Sequence, residues 1–531
     1  MSTVVAAPDI SAIERLRLLE DFFLEHPRAA VLEDGRVLFD MALARYSLTA
    51  EHGRCLLHLW SEERNIVRTV VALRPRKDSL RIETQRFGQT RPQAIEIVPD
   101  RDRRSPSTRD ASRSKYQRLL ERALAREFPD WATEGMRTTA DLEHSFGPAY
   151  TRGILRQGMN RYAVIATNSA ESQPAIDGAL TVGILWLAYC RGHADGKELF
   201  QGLKIVLPKG MSRTVQGRMA WLDIASSKWE LYEFDEREEC LDRLDCASDG
   251  NLSLKLVYAF DPMNATERCR KALDHVLAIL SPECRDRTEV RANGPSEVSL
   301  ALHGLEFARI RQDYSPNSFA SRQEIVFGAG ANETELTPDT EALFLHLVER
   351  LFENRDAGAD KRNPLYRLQP ERWLESLLRR DIVEIEPSIR ADIVYTQVPA
   401  FSAGDRGMLD LLTVTRSGRL AVIEVKADDD LHLPLQALDY WCRVRQLHRE
   451  RAFQKHGYFR GIELSDETPL LYLIAPVLRI HPATDVILRH LSPEIPWQVV
   501  GLNEDWRKRR RVILRKRSEL LESKGSVEVR T

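Results

Sequence analysis

The chain has 531 residues, 43% hydrophobic and 29% charged, with a formal net charge of -2. That length is too great for one hydrophobic core and implies three or four domains, while the composition excludes a disordered or membrane-embedded chain. The near-neutral charge gives no global sign of nucleic-acid binding, although phosphate binding depends on where the positive groups sit.

Taken in chain order, Met1 to Asp9 lacks the basic stretch and apolar core of a secretory signal. Val31 to Pro99 holds alternating runs such as CLLHLW and SLRIETQRF between Gly, Asp and Pro clusters, the pattern of a β-rich module. Arg101 to Lys115 is basic and reads as a solvated linker up to Arg113. The longest apolar run, Gly178 to Cys190, is far shorter than the ~20 residues that a membrane span needs. The seven cysteines are scattered and include no CxxC pair, which argues against structural zinc or a disulfide framework and for a reduced cytoplasmic setting.

An internal repeat organises the rest. Arg118 to Leu124 (RLLERAL) matches Arg372 to Leu378 (RWLESLL) at an offset of 254, and the same offset lays Arg152-Gly153-Ile154-Leu155 over Arg406-Gly407-Met408-Leu409. Cys190-Arg191 then matches Cys442-Arg443, Leu203 to Pro208 matches Leu471 to Pro476, and Trp229 matches Trp497. Each stretch reads as helix, hairpin, helix, strand, helix, strand. Before the second copy, Val298 to Phe327 is strand-rich and Thr340 to Phe352 is helical, with a linker at Asp356 to Pro364. The expected domains are therefore 1–105 (β-rich), 106–240 (first α/β copy), 241–362 (β-rich with a helix) and 363–531 (second α/β copy).

In the second copy, Met408 to Ala427 (MLDLLTVTRSGRLAVIEVKA) predicts a β-hairpin turning at Arg416-Ser417-Gly418. With Ser417 near its centre, Asp410 and Glu424 face one another, with Cβ atoms roughly 4.5–5.5 Å apart. Lys426 shares the face of Glu424. Two hard oxygen ligands beside an ammonium suit Mg²⁺ or Mn²⁺, completed by water and phosphate oxygens. The competing reading is a set of weak surface charge pairs. Upstream, Pro370 to Asp381 predicts a helix with Glu375 on its flank, within reach of the metal or simply solvated. Downstream, Pro434 to Leu447 predicts a helix on which Gln436, Tyr440 and Arg443 form one stripe, suited to phosphate and base contacts or to packing. The basic stretch Arg507 to Arg517 is either a solvated tail or a folded edge that meets phosphates.

The order of Glu375, Asp410, Glu424-Val425-Lys426 and Gln436-x-x-x-Tyr440 resembles the PD-(D/E)XK nuclease superfamily, in particular its RecB-like branch. The run GDRGMLDLLTVTRSGRLAVIEVKA is similar to the catalytic domain of the NucS mismatch endonucleases. The resemblance covers Leu368 to Arg515, with Leu409 where the motif has proline. It implies a restriction-endonuclease-like mixed sheet flanked by helices. Asp410, Glu424 and the Val425 carbonyl would bind the metal, joined by Glu375, with Lys426 at the attacking water. Gln436, Tyr440, Arg443 and Arg406 would contact nucleic acid.

In the first copy, Arg156, Ala166, Asn168 and Ile184 align with Asp410, Glu424, Lys426 and Gln436, and only Glu121 keeps its counterpart, Glu375. That copy is expected to be a degenerate, metal-free pseudo-nuclease that binds DNA or pairs with the intact copy. The expected function is metal-dependent hydrolysis of phosphodiester bonds in DNA, with RNA not excluded, in repair or genome defence. The alternatives are a non-catalytic nucleic-acid-binding protein, whose binding would ignore chelators, and an interaction scaffold.

Overall fold

The computed structural model describes residues 11–27, 29–33, 36–41, 44–51, 54–60, 65–76, 79–85, 92–99, 106–139, 141, 146–246, 254–313, 322–328, 333–402 and 405–521. It is an α/β protein of two compact units, Met1–Ser112 with Phe327–Thr334, and Arg113–Val326 with Glu335–Thr531. In the smaller unit, helix Ala12–Glu25 starts at Ser11, whose hydroxyl accepts the Glu14 N–H. The helix buries Leu19 and Phe23 in the same apolar cluster as Ile82, Ile95 and Ile97, from a seven-stranded sheet between Ala30 and Val98. Alternation in Ser79–Gln85 sends Leu80 and Ile82 inward, as period-2 patterning requires.

Helix α1 (Pro106–Glu127) contributes residues 113–127 to the start of the larger unit. Residues 106–113 are thus helical where a linker was expected: proline suits a first helical turn, and the Ser and Arg residues that follow tolerate helix once Tyr116, Leu120 and Leu124 anchor the buried face. Residues 101–105 lie outside the described residues. Next come β1 (Ala132–Arg137), β2 (Thr151–Gln157), β3 (Asn160–Ala166), α2 (Ala179–Gly192), β4 (Leu199–Pro208), α3 (Arg213–Met219), β5 (Lys228–Asp235) and β6 (Cys240–Leu244). The six strands lie side by side in chain order. Pairing is antiparallel from β1 to β3, parallel across β3, β4 and β5, and antiparallel again to β6.

Three short helices within Pro262–Arg287, which the sequence reading did not separate from the strands, precede β7 (Glu289–Gly294), β8 (Glu297–Leu302) and β9 (Leu305–Asp313) of a five-stranded sheet. Then follow α4 (Glu341–Asn354), α5 (Pro370–Ile385), β10 (Ile389–Ser402), β11 (Asp405–Thr415), β12 (Leu420–Val425), α6 (Leu433–Arg449), β13 (Leu470–Pro476), α7 (Ala483–Leu488), β14 (Trp497–Leu502) and β15 (Val512–Arg517). Strands β10 to β15 again lie in chain order, with the same sequence of directions as β1 to β6 and one added edge strand, Leu254–Leu256. The edge strand β1 and its counterpart β10, which Leu254–Leu256 covers, were absent from the sequence reading. Both sheets are therefore mixed and flanked by helices, and Leu203 pairs with Trp229 as Leu471 pairs with Trp497.

The two lobes share one core. Helices α2 and α6 lie in the same apolar cluster, with Leu187, Leu438, Trp441 and Leu488 fully or almost fully buried. An antiparallel bridge joins Leu222 to Leu491: Ser492 N–H donates to the Trp221 carbonyl, and Asp223 N–H to that of His490, each at 2.8 Å. Trp221 meets Trp441 edge-on at 5.0 Å, and the Arg218 guanidinium grips both Asp439 carboxylate oxygens at 2.9 and 2.7 Å. Helices α1 and α5 pack on the opposite faces of their sheets.

The turn between β8 and β9 seats the start of α5. His303 and Gly304 both take the left-handed conformation, and a Cβ at Gly304 would lie 2.0 Å from the Arg372 carbonyl oxygen, so only glycine fits. The His303 ring stacks on Trp373 at 4.9 Å. Arg355, fully buried, donates to the carbonyls of Leu302, His303, Leu365, Leu368 and Gln369. Among the described residues no helix is long and apolar enough to cross a membrane. All seven cysteines carry free thiols.

Candidate active site

The hairpin β11–β12 turns where its glycine permits. Gly418 has φ +83°, and a Cβ there would lie 2.3 Å from the Glu463 carbonyl oxygen. Pairing runs from Val414–Leu420 to Leu411–Ile423, a register centred on Ser417. One step further Asp410 stands opposite Glu424. There the ladder gives way to a side chain: Asp410 Oδ2 accepts the Val425 N–H at 2.9 Å. Lys426 follows the strand end, its own N–H donating to the Ile474 carbonyl at 3.0 Å.

Glu424 is 4% exposed, and its Oε2 has no hydrogen-bond partner. Burial and the neighbouring Asp410 push its carboxyl well above the usual range. Asp410 is also raised by burial, although the Val425 N–H, Lys426, Arg372 and a hydrogen bond with Glu424 oppose the rise. Two acids that close cannot both ionise without a compensating charge. Burial alone would pull Lys426 down, but Glu371, Glu424, Asp430 and Asp410 outweigh it and hold the ammonium charged. Its Nζ lies 3.6 Å from Glu371 Oε1 and 3.5 Å from Asp430 Oδ2.

Helix α5 brings two more carboxyls. Glu375 is 2% exposed; Arg372 holds its Oε2 at 3.0 Å, while Oε1 has no partner. Burial raises Glu375 and Glu371 alike, and Asp410 raises both further. From α6, the half-buried Tyr440 phenol is raised by burial and then by Glu424 and Asp410, so it stays a hydrogen-bond donor at neutral pH beside the acids. The Arg443 guanidinium lies 5.8 Å from the Tyr440 ring centre, and Gln436 is half-buried one turn earlier. The Arg406 side chain lies outside the described residues.

Sequence reasoning had thus named Asp410, Glu424, Lys426, Glu375 and Tyr440, which the fold gathers, but it missed Glu371, Arg372 and Asp430. The signal for Glu371 was its place one helical turn before Glu375, directly after Pro370.

Among the described residues no group of three His, Cys, Asp or Glu side chains forms a ready cation cage. The donor set still fits a magnesium-type ion, which keeps several waters and takes only one or two carboxylates. The unpartnered Glu424 Oε2, opposite a second carboxyl, has the chemistry such an ion satisfies.

The first lobe differs at each position. With Leu203 level with Leu471, the strand register puts Ala163 with Val422, hence Ile165 with Glu424 and Arg152 with Asp410. Thr167 N–H donates to Val206 as Lys426 N–H donates to Ile474. These partners replace Arg156, Ala166 and Asn168, because the ungapped RGIL/RGML match slips along the hairpin. Arg152, 1% exposed, donates to the Thr139 carbonyl and lies against Phe146 and Trp186. Glu121 is bound by Gln117 at 3.0 Å.

No family model matches the chain, and no curated protein matches it.

Proposed function

We propose that the protein is a metal-dependent nuclease hydrolysing phosphodiester bonds in DNA, and that β10 to β15 form a restriction-endonuclease-like catalytic lobe of PD-(D/E)XK type. The observation that carries this reading is the opposed pair Asp410 and Glu424, with a buried, unpartnered carboxylate oxygen and the Lys426 ammonium alongside.

Asp410, Glu424 and the Val425 carbonyl would hold Mg²⁺ or Mn²⁺, with Glu375 behind them. Such an ion supplies an acidified water and neutralises charge on the phosphate. Lys426, kept cationic by four carboxylates, positions a water for attack and stabilises the negative charge that grows on the phosphoryl oxygens. Tyr440 offers its hydroxyl to the same phosphate from α6, with Gln436 and Arg443 along that helix to orient the strand.

The matching strand order of β1 to β6 supports reading the first lobe as an inert copy, with Arg152, Ile165 and Thr167 in place of the acid, acid and lysine. The shared core pairs the two copies within one chain. Seven free thiols agree with a cytoplasmic setting.

The test is cleavage of plasmid and branched DNA in Mg²⁺ and in Mn²⁺. Asp410→Ala and Lys426→Ala should each lower the rate by about 10²-fold or more. A wild type whose cleavage is matched by Asp410→Ala, or that cleaves nothing with either metal, defeats the proposal.

A further inference from the structure

The turn between β14 and β15 carries five consecutive basic residues, Arg507 to Arg511, and β14 runs parallel to β13 and so to β12. Parallel strands end on one edge of a sheet, so this turn leaves the same edge as Glu424 and Lys426. Two of its residues fix it alongside α5. The Arg507 guanidinium stacks over Trp506 at 4.1 Å, Tyr366 at 4.6 Å and Trp373 at 4.9 Å, and it feels the charge of Asp428, two residues past Lys426. Arg510 pairs with Asp381, where α5 departs from helical geometry. At 1.5 Å per residue, the anchors at Trp373 and Asp381 are about 12 Å apart along the helix.

Between and just beyond these anchors, Lys508, Arg509 and Arg511 are exposed, and none forms an ion pair with a described residue. Nearby acids are already engaged: Glu504 accepts the Leu478 N–H, and Asp381 is taken by Arg510 and Arg380. A further cation flanks the turn: burial lowers Arg510, and Arg380 close by lowers it further. The exposed cations Lys508, Arg509 and Arg511 therefore sit on a turn anchored along α5, the helix that carries Glu371 and Glu375 in its first two turns. Clustered like charges of this kind attract a ligand that carries several negative charges.

We propose that the 503–511 turn is a contact for the phosphodiester backbone of the nucleic acid, holding it along α5 on its way to the acid cluster. This rests on the nuclease reading for its substrate class, but its test needs no cleavage.

The experiment is fluorescence anisotropy of labelled duplex DNA, single-stranded DNA and RNA, with chelator present, from 50 to 200 mM salt. Poly-glutamate serves as the non-phosphate competitor. The triple variant Lys508→Ala/Arg509→Ala/Arg511→Ala changes only exposed side chains, and its thermal midpoint is checked alongside. On whichever nucleic acid binds best, it should bind at least tenfold more weakly at low salt. Its slope of log affinity against log salt should be shallower by about 2–3 on duplex DNA. Wild-type affinity and slope in the folded triple variant, or equal displacement by poly-glutamate, overturn the proposal and leave the nuclease reading standing. A variant that loses binding in a protein that never cleaves supports the contact and defeats the nuclease. A wild type that binds no nucleic acid overturns both.

Discussion

Glu424 is held where a carboxylate is least comfortable: buried, opposite Asp410, and with one oxygen unsatisfied. Ionising it there costs more than ionising it in water, so the metal-free protein keeps a proton in the pair. Glutamine has the same shape and no charge. Glu424→Gln should therefore raise the stability of the metal-free protein near pH 8 by about 1–3 kcal/mol in urea titrations, and, on the proposed function, added Mn²⁺ should stabilise the wild type and not this variant. A variant less stable than wild type would show that this carboxylate is satisfied in some other way. Such an exchange of stability for chemistry is what a binding residue shows and a structural one does not.

At the scale of elements, α5 carries Glu371 and Glu375, and its start is fixed by the β8–β9 turn through His303 on Trp373 and by Arg355. Burial, with Arg287, Arg355 and Arg380 nearby, pulls the His303 imidazole down to about 4. A depressed pKa means that the folded protein binds fewer protons than the unfolded chain. The stabilisation is thus complete above about pH 6.5 and is lost as the pH falls toward 4. His303→Phe keeps a ring on Trp373 and cannot titrate. The gap between wild-type and variant stability should shift by on the order of 1–2 kcal/mol between pH 7 and pH 4.5, and a constant gap would remove His303 from the docking account.

The hairpin was legible because apolar alternation, a glycine turn and two acids equidistant from Ser417 specify one register. The helices α5 and α6 were legible from a starting proline and a 3.6-residue apolar stripe. What escaped depended on contacts distant in sequence. Glu371 and Asp430 look like ordinary surface acids until the strand end brings Lys426 between them. The first lobe's equivalences slipped because three matching letters of four, RGIL against RGML, outweighed a difference in hairpin length that only hydrogen bonding sets. Residues 106–113 were read as linker because charge and serine dominate them, and helix there is decided by the apolar face that follows.

Over the whole larger unit, an ion pair with a buried guanidinium, Arg218 to Asp439, crosses between the lobes. Arg218 is 7% exposed and bidentate on Asp439. Removing one partner leaves the other charge half-covered and alone, so Arg218→Ala should destabilise the unit by about 3 kcal/mol, read as a lower urea midpoint. Loss of less than 1 kcal/mol would mean that the apolar seam around Trp221 and Trp441 holds the lobes without it.

The reciprocal bridge between Leu222 and Leu491 has the form of a contact between two equal subunits, yet both of its segments belong to one polypeptide. Partners tethered this way meet at a local concentration set by the connecting segment, not by expression level. Dilution cannot dissociate them, and their melting temperature should stay constant over a hundredfold range of protein. One half is then free to lose its chemistry without leaving the other half unmated.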